Sequence, residues 1–325
     1  MLTFAEISAL TEKTVATVDL RNEPKELYDP IHYIFSIGGK RIRPKLCLTC
    51  YNLFADRFDE HILRPAMALE IFHAFTLIHD DIMDKADRRR GHLTVHKKWC
   101  DNIAILSGDV MSIKAYEYLA AAPKDCLPQV LALFNRTAAQ VCEGQQYDMN
   151  FEDLPIISIE EYTQMIALKT AVLLACSAKM GALIAGCDAQ TADALYRWGY
   201  DLGLAFQITD DYLDSFGDPK TFGKNIGGDI TNNKKSWLLI ESLRIASPED
   251  RQEIEKIMAL GEANAAEKIE RMLAMYRKLN IHTNAREAIV HYYDSAMAAL
   301  QEAELNTDQI KLLDQFAQNL IKREK

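Results

Sequence analysis

The amino-acid sequence predicts an all-α fold, and three observations support that prediction. Helix start signals recur along the chain, long apolar segments lack proline, and the alternating runs of β-branched residues that are typical of strands are absent. Hydrophobic residues make up 49% of the 325 residues, so the chain can bury a large core. We therefore expect a single-domain helical bundle that spans residues 1–325.

The ends of several helices can be placed in chain order. Ser158 and Glu161 have the spacing of a capping box, and Ser247 followed by Pro248 marks a second helix start. Between residues 155 and 219 the sequence has no proline and is largely apolar, which predicts long and mostly buried helices. Near the end of the chain, four apolar residues share one helical face: Ile310, Leu313, Phe316 and Leu320.

Turn-like stretches separate these helices. The longer ones are residues 20–30, 88–94, 216–231 and 247–250. The second and third directly follow acidic motifs, so we expect them to be loops that cover a site. The chain has no repeat of short period and no linker rich in glycine and serine.

Charge and cysteine usage exclude several classes of protein. The net charge of -10 argues against nucleic acid as the main partner, because a phosphate backbone requires a basic surface. Seven scattered cysteines do not form a disulfide framework, which fits a reducing compartment such as the cytoplasm. We expect no signal peptide, because the first residues lack a basic stretch before an apolar run. We also expect no membrane span, because no segment reads as about 20 uncharged apolar residues.

Two acidic clusters, residues 80–84 and 210–214, are the main chemical signal. Residues four apart lie on one face of a helix, so Asp80 is paired with Asp84, and Asp210 with Asp214. Two such charges about 4 Å apart repel by roughly 4 kcal/mol at an effective dielectric constant of 20, so a cation or a shared proton must offset them. A proton-sharing dyad needs only one pair, and a solvated helix face would explain one cluster alone. Oxygen ligands from two clusters favour Mg²⁺.

Basic residues are concentrated near glycines although the whole chain is acidic. Lys40, Arg41 and Arg43 follow a pair of glycines, and residues 88–90 are three consecutive arginines before Gly91. Glycine lets the backbone approach a phosphate, and arginine grips phosphate oxygens with two N–H groups. Taken with the acidic clusters, these runs predict a site for two diphosphates, one bound through metal and one bound without it.

The motifs in this order resemble those of a known family, the trans-type (head-to-tail) polyprenyl diphosphate synthases. The resemblance runs from about residue 34 to residue 239 and includes GGKRIRP, HDDIMD followed by RRGHLTVH, GQQYD, a Lys-Thr pair, and FQITDDYLD followed by GKNIGGDI. It implies a helical isoprenoid synthase fold with a central substrate cavity. It also implies a cytoplasmic, homodimeric transferase that uses Mg²⁺ and joins isopentenyl diphosphate to allylic diphosphates.

The resemblance assigns roles to individual residues. Asp80 and Asp84 should hold Mg²⁺ from one wall of the site with Asp81 in support, and Asp210 should hold it from the opposite wall. Asp211 and Asp214 should lie close by, and all six aspartates of the two motifs are expected to be catalytic. The residues expected at the allylic diphosphate are Arg89, Lys169, Thr170, Gln207, Lys224 and Lys234, and those expected at the isopentenyl diphosphate are Lys40, Arg43, His73 and Arg90.

Further residues are expected to have supporting roles. Gln145 and Asp148 should support water molecules around the metal, and Glu70 is a weaker candidate for a supporting partner. The charge that develops on the departing diphosphate should be stabilised by the metal together with Arg89, Lys169 and Lys224, the expected catalytic cations.

Product length is expected to depend on apolar residues that precede Asp80. By family resemblance, Phe75 is the floor of the pocket, with Thr76 and Phe72 nearby. On an ideal helix Thr76 faces the Asp80 side rather than Phe75, so local bending must be assumed. We expect a short product of fifteen or twenty carbons, made from dimethylallyl, geranyl or farnesyl diphosphate.

Two other functions are compatible with some of these motifs. A class I terpene cyclase shares the first acidic motif, but usually carries a different second metal motif and needs no isopentenyl site. A non-catalytic regulatory subunit would be expected to lose its aspartates, whereas both motifs are intact here. The basic tail, residues 322–325, either closes over the isopentenyl site or is a solvated end.

Overall fold

The computed structural model describes residues 1–217 and 226–321. Helices cover most of these residues, which confirms the predicted all-α fold. Three predictions lie wholly or partly outside the described residues: the role of Lys224, the behaviour of the tail at residues 322–325, and the loop at residues 216–231, of which residues 218–225 are not described.

The first part of the chain carries six helices among the described residues. They are α1 (Phe4–Thr17), α2 (Lys25–Ser36), α3 (Ile42–Tyr51), α4 (Glu60–Met83), α5 (Val95–Lys98) and α6 (Asp101–Leu119). A small antiparallel hairpin of β1 (Arg88–Arg89) and β2 (His92–Leu93) lies between α4 and α5. The middle of the chain forms α7 (Leu127–Glu152), α8 (Ile159–Ile166), a π-helical segment (Ala167–Ala171), α9 (Val172–Ile184) and α10 (Ala189–Phe216).

Shorter helices complete the described chain. They are α11 (Gly228–Thr231), α12 (Trp237–Ile245), α13 (Pro248–Met258), a 3₁₀ turn (Glu262–Asn264), α14 (Ala265–Lys278), α15 (Ile281–Ala299), a second 3₁₀ turn (Leu300–Glu302) and α16 (Thr307–Ile321). The predicted start signals are confirmed. Ser158 accepts a hydrogen bond from the Glu161 backbone in a full capping box. Ser247 caps α13 by accepting a hydrogen bond from the Asp250 backbone.

Two details of the prediction were wrong. Strands were not expected, but residues 88–93 form the β1–β2 hairpin, whose turn is made by Arg90 and Gly91 with positive φ angles. Residues 20–30 were predicted as a turn, but α2 already begins at Lys25. Burial of one face of α2, including Pro30 and Ile34, outweighs the tendency of proline to break a helix.

The chain divides into two compact units. The first unit contains residues 1–137, 173–196 and 302–316, and the second contains residues 138–172, 197–301 and 317–325. In the first unit α4 packs against α3 and α6, and α2 packs against α6. The core of this unit includes Ile7, Leu46, Leu48, Ile62, Leu69, Ile71 and Phe134, which are fully shielded from solvent. The prediction of a single domain stays a prediction.

The second unit has a core of its own. Side chains from α8, α10, α12, α14 and α15 meet there, among them Tyr162, Ile208, Leu238, Met272 and Ile289. An open groove of about 770 Å³ lies beside this core and is lined mainly by α8 and α15. None of the predicted site residues lines that groove.

One helical run meets the length and composition of a membrane span, although it is not free of charged residues, so the expectation that the chain has no membrane span stays a prediction. This run is Ile159–Ile184, with a mean hydropathy of 1.5 in its most apolar window. However, 78% of that window is buried inside the fold. A mostly buried core helix passes the same test of length and composition, so the run is weak evidence for a membrane span.

Candidate active site

The first acidic motif occupies the last turn of α4. Asp80 is half-buried and Asp84 is exposed, whereas Asp81 is only 1% exposed. A helix C-terminus carries partial negative charge, so three carboxylates there favour a bound cation. The side chains of Asp80 and Asp84 are therefore accessible to solvent, whereas the side chain of Asp81 is not.

Asp81 points inward and is held by Arg89 of the hairpin. The Arg89 Nε donates to Oδ1 and Oδ2 of Asp81 at 2.9 and 3.0 Å, and Nη2 lies 2.8 Å from Oδ1. Burial raises the pKa of Asp81, while the hydrogen bonds and charge of Arg89 oppose that rise. This ion pair fixes the hairpin against the end of α4.

The four residues predicted to bind isopentenyl diphosphate belong to the first unit. Arg90 packs on the glycine turn, because a Cβ added at Gly39 would lie 2.6 Å from Arg90 Nη1. His73 lies within the electrostatic reach of Arg43 and Arg90, and Lys40 adjoins Gly39 in the turn. Desolvation and the neighbouring guanidinium groups lower the pKa of His73 well below its usual range. The imidazole is therefore neutral in a strongly cationic surrounding.

The second acidic motif lies near the C-terminal end of α10 in the second unit. Asp211 is buried and accepts three hydrogen bonds, from Tyr162 Oη at 2.6 Å, from the Trp237 backbone N–H at 2.8 Å and from Gln207 Nε2 at 3.1 Å. Burial, reinforced by the charge of Asp229, raises the pKa of Asp211 to about 7. Asp211 thus joins α8, α10 and α12, as Asp81 joins α4 to the hairpin.

The outer aspartates of this motif are less buried. Asp210 and Asp214 are both half-buried. The Asp229 backbone N–H donates to Asp214 Oδ2 at 2.9 Å, so this carboxylate helps to hold the start of α11. Lys234 Nζ lies 3.8 Å from Asp229 Oδ1, which places a cation beside the motif.

The Lys169–Thr170 pair lies in the π-helical segment. Lys169 Nζ donates to Asp148 Oδ2 of α7 at 2.6 Å, and Thr170 Oγ1 donates to Gln207 Oε1 at 3.1 Å. A π-helical turn shifts the register of the side chains that follow and occurs often at functional sites. Gly144 permits the close approach of α7, since a Cβ there would overlap the backbone of Lys169.

Aromatic rings surround the predicted chain-length residues. Phe75 contacts Phe72 with ring centroids 5.4 Å apart and contacts His79 at 4.8 Å. Phe72, which is 2% exposed, also packs on Phe134 at 5.1 Å, and Phe134 packs on Tyr116 at 5.2 Å. Thr76 donates to the His73 carbonyl oxygen within α4. The expected floor residue therefore belongs to a stack of rings.

Comparison with known proteins decides the family. The polyprenyl synthetase family model matches residues 24–276. The chain belongs to the polyprenyl synthetase family. It is a prenyltransferase, as the resemblance of its motifs implied.

Individual relatives agree with this assignment. The geranylgeranyl diphosphate synthase of Saccharolobus solfataricus is 37% identical over 307 residues, which cover 93% of this chain and 91% of the relative. A crystal structure of a geranylgeranyl pyrophosphate synthase is 41% identical, with a TM-score of 0.93 over the whole of both chains. A polyprenyl synthase from Caulobacter crescentus, solved with calcium and isoprenyl diphosphate, is 26% identical with a TM-score of 0.84 over 99% of this chain and 98% of its own.

The donor groups of this polyprenyl synthetase fit Mg²⁺. Among the described residues no three His, Cys, Asp or Glu side chains form a ready-made metal site. Mg²⁺ usually takes only one or two carboxylates and completes its shell with water and substrate phosphate. Both amide atoms of Gln145 are buried without a hydrogen-bond partner in the described part of the chain, which is the expected state of a side chain that contacts bound water or ligand. The carboxylates of each acidic motif are oxygen donors of the kind that Mg²⁺ prefers.

Two residues near the acidic motifs were not predicted from the sequence. Tyr162 lies 49 positions from Asp211, and no motif connects the two. His96 was also missed. It is 9% exposed, it lies within electrostatic range of Asp81, and both ring nitrogens lack a partner among the described residues. Its place in the RRGHLTVH motif was the only available signal.

Proposed function

We propose that this polyprenyl synthetase condenses isopentenyl diphosphate with allylic diphosphates and that its main product is geranylgeranyl diphosphate. Two relatives named for that product match the chain over more than nine-tenths of its length. The observation that most supports condensation over cyclisation is that four residues suited to a second diphosphate lie in one unit: Lys40, Arg43, His73 and Arg90. A terpene cyclase needs no second diphosphate site.

The metal assignment is part of the proposal. Asp80, Asp84 and Asp210 would hold Mg²⁺, and Mg²⁺ would supply positive charge that stabilises the departing allylic diphosphate. Carboxylates in the last turn of a helix favour that binding, because the helix dipole disfavours them without a cation. Asp81 and Asp211 act differently, since each fixes its own motif through hydrogen bonds to other elements.

The side chains of this enzyme complete the reaction. Arg89, Lys169, Thr170, Gln207 and Lys234 bind the allylic diphosphate, and we assign Lys224, which lies outside the described residues, to the same group. Their donors stabilise the charge that develops as the allylic carbon–oxygen bond breaks. The isopentenyl double bond then forms the new carbon–carbon bond, and the condensed product loses a proton to the departing diphosphate.

A homodimer in the cytoplasm is also proposed. Four exposed apolar residues of α6 lie within about 100° of each other around the helix axis: Ile105, Leu106, Ile113 and Tyr116. An exposed stripe of this kind often marks a contact with another protein. The scattered free cysteines fit a reducing compartment.

Product analysis tests the proposed function. The purified protein is incubated with isopentenyl diphosphate and, separately, with dimethylallyl, geranyl or farnesyl diphosphate, and the products are identified by mass. Geranylgeranyl diphosphate from all three starters is the expected result. A cyclic hydrocarbon, or no product from any starter, would contradict the proposal.

A further inference from the structure

A buried ion pair lies beneath the isopentenyl diphosphate residues of the first unit. Arg41 Nη1 donates to Glu70 Oε1 at 2.7 Å, and the two side chains are 5% and 4% exposed. Arg41 Nη2 donates to the Phe35 carbonyl oxygen at 2.6 Å, and the guanidinium lies 4.8 Å from the centre of the Phe35 ring. Both ends of the Arg41 fork are engaged inside the protein, so this arginine does not face a substrate.

The backbone at Arg41 is held in an unfavourable conformation. Its φ angle is 49° with ψ 43°, in the left-handed region, directly before the first residue of α3. Residues other than glycine, asparagine and aspartate rarely adopt this region, and they persist there only when the surroundings fix them. The bonds to Glu70 and Phe35 supply that restraint. The conformation in turn sets the direction of the backbone between Lys40 and Arg43.

Glu70 joins this turn to the other isopentenyl residues. It lies on α4 three residues before His73, so the two side chains are neighbours on the helix surface. The Glu70 carboxylate also interacts electrostatically with Arg90, whose guanidinium packs on Gly39. The turn, α4 and the hairpin therefore meet at one buried carboxylate.

The charge balance of the cluster supports a role beyond packing. Four guanidinium groups, those of Arg41, Arg43, Arg89 and Arg90, act on His73. Glu70 and Asp81 offset two of these charges, which leaves four minus two, or two positive charges, in addition to Lys40. Without the Glu70 charge the guanidinium groups would repel one another and separate.

We propose that the Arg41–Glu70 pair positions the isopentenyl diphosphate site. The pair does not touch the substrate. It fixes the turn at residues 38–41 so that Lys40, Arg43 and Arg90 are arranged for one diphosphate before it binds. This inference rests on the proposed function and adds two positioning residues to it.

The first test is the isosteric substitution Glu70→Gln. It removes the charge and keeps the shape of the side chain. We expect the KM for isopentenyl diphosphate to rise about tenfold, as for the loss of one charge-assisted contact. The KM for farnesyl diphosphate and the kcat at saturating substrate should stay near their wild-type values. This pattern is expected when the lost interaction stabilises the bound substrate and the transition state equally. Equal changes in both KM values would contradict the inference.

A double variant separates positioning from stability. Replacement of both partners of a buried ion pair by apolar residues often leaves stability unchanged, so Arg41→Met with Glu70→Met should fold even if Glu70→Gln does not. The double variant should be more stable than Glu70→Gln, because no buried charge is left without a partner, and it should still show the raised KM for isopentenyl diphosphate. A wild-type KM in the folded double variant would show that the pair only stabilises the fold, and would overturn the inference.

Two controls complete the experiment. Leu119→Ala removes a fully buried side chain at the last residue of α6 in the same unit, and this change lowers stability without altering any charge. It should lower Tm and leave both KM values unchanged. Wild-type protein measured in parallel distinguishes a failure of the proposed function from a failure of the positioning role. If the wild type makes no product, the proposed function fails, whereas normal turnover with unaltered KM values in the variants defeats only the positioning role.

Discussion

His73 shows how a single residue is adjusted to its surroundings. Its imidazole is half-buried among guanidinium groups, and both desolvation and those charges lower its pKa well below the usual range. The charges that act on it belong to Arg43, Arg90, Arg89 and Arg41. A neutral imidazole can contact a diphosphate-bearing substrate through one N–H without adding a further positive charge.

This pKa shift predicts a dependence of stability on pH. In the unfolded chain His73 has a pKa of about 6.5 and takes up a proton below that pH, whereas the folded protein does not. The stabilisation is therefore complete above the unfolded pKa and is lost as the pH falls. Between about pH 7.5 and pH 5.5, the free energy of unfolding should fall about 1 kcal/mol more in the wild type than in His73→Gln. Urea unfolding at both pH values measures this, and equal decreases would refute the shift.

Residues within the acidic motifs could be predicted only in part. The spacing of Asp80 and Asp84 placed them on one face, and that inference needs only helical geometry. The inward bonding of Asp81 and Asp211 was not predictable. Their partners come from other elements, and the identity of a tertiary partner such as Tyr162 is not contained in a local pattern.

Phe75 is the residue on which product length is predicted to depend. Its ring is half-buried and rests on Phe72 and His79. Phe75→Ala should lengthen the main product by at least one isoprene unit, because the removed ring leaves apolar space at the end of the growing chain. Mass analysis of the products measures the change. Phe4→Ala, which removes a ring packed on Phe316, is the control. An unchanged product length would remove Phe75 as the floor.

At the scale of elements, the π-helical segment is the main departure from regular structure. It interrupts the run from α8 to α9 and carries Lys169 and Thr170. At Gly144, α7 comes close to the backbone of this π-helical segment. Proline-free apolar sequence predicted this helical run, but its amino acids carry no signal for the change from α to π, which depends on packing.

Gly144→Ala tests the link between this contact and the site. The added methyl group would overlap the Lys169 backbone, so the segment must shift. We expect the free energy of unfolding to fall by about 1–3 kcal/mol and the KM for farnesyl diphosphate to rise. Gly261→Ala is the matched control, because an added Cβ there meets nothing within 4 Å. Unaltered kinetics in Gly144→Ala would show that the contact does not position Lys169.

Helix boundaries were predictable where local chemistry sets them. Ser158 and Ser247 were identified from capping residues, because a cap is a contact within four residues. The start of α2 was not predicted from the sequence, because it depends on burial of residues such as Ile34 against other elements. The β1–β2 hairpin was missed for a similar reason. Its turn is formed by Arg90 at positive φ, where glycine or asparagine is the usual signal.

At the scale of the whole molecule, the proposed homodimer is open to a direct test. Ile113→Glu places a charge in the exposed α6 stripe, where the wild-type side chain is 60% exposed. We expect the molar mass measured by light scattering to fall from that of a dimer towards that of a monomer. Val290→Glu is the control, because Val290 is 55% exposed on α15, outside the stripe. A dimer that persists in Ile113→Glu would exclude α6 as the interface.

The family and the general fold were predictable because ordered motifs extend over most of the chain. The length of the product was harder to predict from the sequence. It depends on the depth of a pocket, and ring packing such as that of Phe72 on Phe134 involves residues 62 positions apart that no motif connects.

We infer that divalent metal bound by the acidic motifs drives the loss of diphosphate from the allylic substrate. The most direct measurement is the initial rate of condensation of isopentenyl and farnesyl diphosphates with excess chelator and then with Mg²⁺ restored, for wild type, Asp80→Asn and Asp210→Asn. We predict no product in chelator, full recovery with Mg²⁺, and a kcat lowered about a hundredfold or more in each variant. Undiminished turnover in chelator, or wild-type rates in both variants, would contradict the account.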